Sequence, residues 1–132
     1  MKKIILAAFM AACGLQMSAQ QNLFVAQDLE SAIVNKDNTV TFNFKAPDAQ
    51  KVQIAGDFAE KAEGQHIGGM VGAGLIDMTK NSEGIWTYTT KPLDSELYSY
   101  EFMVDGVPTI DPNNVYVYRD FATTSNVFIV GN

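Results

Sequence analysis

Four closely spaced residues late in the chain are the strongest candidates for chemistry. Tyr116, Tyr118, Arg119 and Phe121 follow a Pro112-Asn113-Asn114 turn. Aromatic rings beside a guanidinium can stack on sugar rings or anchor a second protein domain. The competing reading is an ordinary strand over Val115 to Tyr118 with one face buried, and composition does not choose between them. Trp86, the single tryptophan, is a further platform candidate. Its alternation with Tyr88, beside Ile85, favours a core or half-buried sheet position instead.

Residues that could catalyse are not arranged to do so. None of Ser18, Ser31, Ser82, Ser95, Ser99 or Ser125 stands in a Gly-x-Ser-x-Gly turn, and the sole histidine, His66, lies in a glycine-rich loop. The 15 acidic residues fall on turns and polar strand faces, where solvation accounts for them better than paired-carboxylate glycoside cleavage. The one cysteine, Cys13, precedes the globular part, leaving no thiol nucleophile, disulfide or zinc-cysteine site there. The expectation is a non-catalytic chain with no metal and no cofactor. Glycines 64, 68, 69, 72 and 74 lack the Gly-Lys-Ser/Thr ending and following helix of a phosphate cradle, so a surface loop is expected from Ala59 to Leu75.

The elements that must position these residues centre on Leu97 to Pro112. Tyr98, Tyr100, Phe102 and Val104 alternate with Leu97, Ser99, Glu101 and Met103, which places the first set on a core-facing side of a strand. Asp105-Gly106 supplies the positive φ angles of a two-residue type I′ turn, Val107 to Ile110 returns, and Asp111-Pro112 ends the hairpin. Further strands are expected at Thr39–Phe44, Lys51–Ala55, Ile76–Thr79, Ile85–Thr89, Val115–Tyr118 and Ser125–Val130. Short strands at this turn-punctuated spacing, with no helix pattern, predict an all-β, immunoglobulin-like antiparallel β-sandwich of about seven strands.

Ahead of it, Met1 to Ala19 reads as a secretory signal peptide: Lys2-Lys3, an apolar run too short to span a bilayer, then Ser18-Ala19. Residues 20–36 form an N-terminal extension and 37–131 the sandwich domain. The chain is therefore expected to be secreted or periplasmic. Lipidation at Cys13 after Ala11-Ala12, giving an outer-membrane lipoprotein, is the alternative. The net charge is −6, and a chain cut after Ala19 keeps 7 basic against 15 acidic residues, or −8. Such a surface repels phosphate backbones and anionic lipid, so neither nucleic acid nor membrane is an expected partner unless Cys13 is lipidated.

Several pieces in order also resemble a known family. Val52-Gln53-Ile54-Ala55-Gly56-Asp57-Phe58, Gly84-Ile85-Trp86, the Leu97 to Gly106 run, Asp111-Pro112 and Ser125 to Val130 resemble the early-set domain at the N-terminus of glycoside hydrolase family 13 enzymes, or carbohydrate-binding module family 48. The MTKNSEGIWTYTT, SELYSYEFMVDG and DPNNVY stretches are most similar to the version preceding the catalytic domain of secreted bacterial polysaccharide esterases. The resemblance implies an accessory module that binds plant polysaccharide weakly, xylan-type rather than starch, or packs against an esterase domain. A structural or protein-docking domain without glycan affinity is the alternative. Starch-binding members use two tryptophans and a lysine; here those regions read Ala59-Glu60-Lys61-Ala62, Val107-Pro108 and Glu101.

Overall fold

Alternating side chains separated by tight turns build two facing sheets. A computed structural model describes residues 29–59, 66–67, 70–71 and 74–131. In chain order the strands are β1 (Ile33–Val34), β2 (Val40–Lys45), β3 (Val52–Gly56), β4 (His66–Ile67), β5 (Met70–Val71), β6 (Leu75–Asp77), β7 (Thr79–Lys80), β8 (Ile85–Thr89), β9 (Glu96–Val104), β10 (Val107–Thr109), β11 (Val117–Arg119) and β12 (Thr124–Val130). The smaller sheet runs β1-β2-β8-β7, the larger runs β11-β12-β9-β3-β6 with β10 also on β9, and β4 and β5 form a two-stranded sheet among the described residues. All pairs are antiparallel.

The expected antiparallel sandwich is present, with more strands than the expected seven. The additional ones are two-residue strands, too short to carry a period-two signal. One expected strand, Ile76–Thr79, is in fact parts of two strands in opposite sheets. Met78 lies between them with its side chain buried, its amide donating to the Val52 carbonyl at 3.0 Å, so the chain switches from β6 to β7 along the edge of the sandwich. The glycine-rich loop contains the β4–β5 pairing, while its remaining residues, 60–65, 68–69 and 72–73, lie outside the described residues. So do the signal segment 1–19 and residues 20–28. The described part of the extension adds β1 to the edge of β2 and packs Ala32 against the core.

Between the sheets the inward residues interdigitate as aromatic pairs. Phe42 of β2 lies 4.8 Å from Tyr100 and 5.5 Å from Phe128, and Phe44 lies 4.7 Å from Phe102. Val40, Val52, Ile54 and Val130 fill the space around them with almost no exposure. The β9–β10 turn has φ of 47° at Asp105 and 84° at Gly106, the two left-handed positions of a type I′ turn. Asp105 also accepts from the amides of Gln50 (3.0 Å) and Lys51 (2.8 Å), which ties the hairpin to the start of β3.

Candidate functional site

The outer face of the larger sheet is where the unexplained side chains collect. Because Tyr98, Tyr100 and Phe102 fill the core, their neighbours Leu97, Ser99, Glu101 and Met103 point away from it. Register then fixes what lies beside them. Tyr118 of β11 pairs with Ser125 of β12, Ser125 donates to Glu101 Oε1 at 3.2 Å, and Glu101 pairs with Ala55 of β3. One row of the outer face therefore reads Tyr118, Ser125, Glu101, Ala55. In the next row, Val127 pairs with Ser99, whose amide and hydroxyl both donate to Asp57 Oδ2 at 2.8 and 2.7 Å. Beyond it, exposed Ile129 pairs with exposed Leu97.

Sequence placed Glu101 on a polar face, yet it is only 4% exposed. It shares that burial with Ala55 and Met103 on the same face, 0% and 8% exposed, against which Leu75 packs. Asn126 of β12 pairs with Tyr100, and Thr109 of β10 pairs with Phe102, so Glu101 is the residue of β9 at which one neighbouring strand gives way to the other. A cleft of about 320 Å³ opens at this seam, lined by Glu101, Pro108, Thr109, Ile110 and Ala122 to Thr124. Its far wall is a turn organised by Asp120, whose Oδ1 accepts from the amides of Ala122 and Thr123, both at 2.7 Å. Those bonds hold the Asp120 carboxyl below its ordinary range. Burial does the opposite to Glu101, pushing its carboxyl above the ordinary glutamate range against the smaller lowering effect of the Ser125 hydroxyl. Glu101 Oε2 is buried and has no hydrogen-bond partner.

The predicted site residues fall into three places. Tyr116 and Tyr118 are 71% and 60% exposed, and Tyr118 shares the outer face with Ser125. The Tyr116 carbonyl accepts from the Val127 amide at 3.0 Å, which continues the pairing beyond β11, and its side chain lines a shallow groove with Val34, Val115 and Ile129. Arg119 is exposed but alternates to the opposite side of the ribbon from Tyr118. Phe121 sits in the Asp120 turn with its ring wholly in solvent. The platform reading of Trp86 is corrected. Its ring is 7% exposed in the core, Nε1 donates to the Ala46 carbonyl at 2.9 Å, and Lys80 Nζ lies 5.4 Å from the ring centroid. Pairing of β8 with β2 places Trp86 opposite Phe44, on the inward face.

Sequence reasoning missed a buried polar network behind this surface. Asp111, read only as a strand stop, is 2% exposed and accepts from the Tyr100 hydroxyl at 2.7 Å. Its amide donates to Asn126 Oδ1 at 2.6 Å, and Asn126 is fully buried. Asn114 Nδ2 donates to both the Tyr100 hydroxyl (3.0 Å) and the Val127 carbonyl (2.9 Å). The signal available in sequence was the inward parity of Asn126 with Phe128 and Val130, a polar residue at a core position. Among the described residues no group of three or more His, Cys, Asp or Glu side chains could hold a metal ion.

The architecture is that of a β-sandwich segment in much larger enzymes. No protein-family model matches the chain, and no curated protein does. Solved structures do. The group B Streptococcus pullulanase in complex with maltotetraose matches at a TM-score of 0.55 and 16% identity, over 81% of this chain and 15% of that one. The type I pullulanase of Bacillus subtilis strain 168 complexed with maltose gives 0.55 and 16%, over 81% and 14%. The catalytic module of a pneumococcal glycogen-degrading virulence factor gives 0.56 and 14%, over 86% and 18%. The likeness is one of fold, and the chain spans less than a fifth of each matched enzyme.

Proposed function

We propose that this chain is a non-catalytic accessory module of a secreted carbohydrate-active enzyme, of the family 48 binding-module type, holding polysaccharide weakly or packing against an esterase catalytic domain. The observation that carries the reading is the exposed aromatic edge of the larger sheet, Tyr116 and Tyr118, on a fold shared with a small part of pullulanases solved with maltotetraose or maltose. Residues two apart in extended backbone stand about 7 Å from each other, a spacing that lets consecutive rings of an extended chain be covered together. Neighbouring Leu97 and Ile129 are apolar and exposed, which also suits an apposed protein domain.

Magnitudes set the expected affinity. A stacked ring adds about 0.5 to 1.5 kcal/mol beyond its area burial, and millimolar binding already needs about 4 kcal/mol. With Trp86 in the core and no second tryptophan, maltoheptaose should bind in the millimolar range at best. Xylan-type chains are the proposed preference, through Tyr116, Tyr118 or Phe121. Calorimetry with maltoheptaose and xylohexaose tests this. Micromolar maltoheptaose binding that survives alanine at all three positions overturns it.

A further inference from the structure

The seam cleft around Glu101 is chemically incomplete, and its incompleteness specifies a ligand. We infer that it is a seat for a basic side chain, arginine or lysine, presented by a partner polypeptide. Glu101 Oε1 is satisfied by Ser125, whereas Oε2 is buried without a donor. Among the described residues, none of the others lining the cleft carries a charge: Pro108, Thr109, Ile110, Ala122, Thr123 and Thr124 supply only hydroxyls and apolar surface. From the strands packed alongside, Ser125 is the polar neighbour and Ala55 is apolar. A carboxylate taken out of water without a counter-charge is costly, and the cost is relieved by a cation seated in the cleft beside it.

That argument separates a cation from a sugar. A neutral ring closing over the cleft would remove still more water from the Glu101 charge without compensating it. An ammonium or guanidinium compensates it directly, and a guanidinium adds a planar N–H pattern suited to a carboxylate. The walls suit the rest of such a side chain, since Pro108, Ile110 and Ala122 offer apolar contact to a methylene stem. Over longer range, the chain's net charge of −6 draws a basic partner. Neither Tyr116 nor Tyr118 lines this cleft, so the seat stands whether or not those two rings hold a glycan.

The test is an amide NMR titration of the full chain with N-acetyl-arginine methylamide, its neutral citrulline counterpart, and xylohexaose. The arginine probe should saturably shift the amides of Glu101, Ile110 and Thr123 to Ser125, and the citrulline probe should not. Glu101→Gln, checked for folding by its thermal transition, should weaken the arginine probe at least fivefold. In the unmodified chain, saturating arginine probe should lower the midpoint of the Glu101 side-chain carboxyl titration, a readout that does not depend on the variant folding. Equal shifts from citrulline, an unmoved carboxyl midpoint, or xylohexaose shifting these amides where arginine does not would each overturn the proposal.

Discussion

The Tyr100 hydroxyl donates to Asp111 Oδ2 at 2.7 Å, and the two residues are 0% and 2% exposed. A side chain at the centre of the longest strand is thereby fastened to the turn that precedes Tyr116. Tyr100→Phe leaves a buried carboxylate oxygen without this donor and should cost about 1 to 3 kcal/mol in urea unfolding. Tyr100→Ala adds a core cavity and should cost about 3 to 5 kcal/mol. Burial, reinforced by the Asp111 charge, raises the Tyr100 hydroxyl above its ordinary value of 10.0. A raised value means that the contribution is intact below pH 10 and is lost as pH climbs toward the folded value. Tyr100→Phe should therefore flatten the alkaline fall in stability; an unchanged alkaline limb would show that this phenol is not its source.

Two glycines test the turns by different physics. At Gly106, with φ of 84° and open space around it, a side chain meets only backbone strain, so Gly106→Val should cost about 1 to 3 kcal/mol. At Gly84, with φ of 77°, an added Cβ would also stand 2.5 Å from the Pro47 Cα. Gly84→Val should be the more damaging of the two, as read from denaturant midpoints at a common slope. The reverse order would mean that the Pro47 contact is relieved at little cost.

Buried and exposed aromatics should separate cleanly. Trp86→Ala empties a core position and breaks the bond to the Ala46 carbonyl, for a loss of about 3 to 5 kcal/mol. Tyr118→Ala removes an exposed ring and should change stability by no more than about 0.5 kcal/mol, while reducing xylohexaose binding. Chemical denaturation paired with calorimetry distinguishes them, and a stability loss at Tyr118 comparable to that at Trp86 would place Tyr118 in the core.

Glu101 supplies a pH test of burial. Its carboxyl is raised above 4.5 in the folded state by burial, so the unfolded chain ionises first. The contribution of this group to stability is then fully present below pH 4.5 and is lost as pH rises through the folded value. Glu101→Gln removes that term. The melting temperature of the variant relative to the parent should therefore increase from pH 4 to pH 7, and a difference independent of pH would mean that the Glu101 charge is not desolvated.

The sequence by itself determined the local rules of this protein. Period-two alternation in Val40–Phe44 and Tyr98–Val104 fixed which side chains face inward, and Asp105-Gly106 fixed a hairpin, because both depend on neighbours along the chain. The candidate edge was half legible in the same way: the cluster at Tyr116 to Phe121 could be seen, but not its exposure or the turning of Arg119 to the opposite side from Tyr118. The tertiary structure decided what depends on residues distant in sequence. Met78 crosses between the sheets, Asp111 is buried rather than exposed as a strand stop, and Asn126 at its inward position becomes its partner. Glu101 is the sharpest case: its outward parity is a property of the strand, but its burial with Ala55 and Met103, and its place where β12 gives way to β10, depend on residues distant in sequence, which no local pattern encodes.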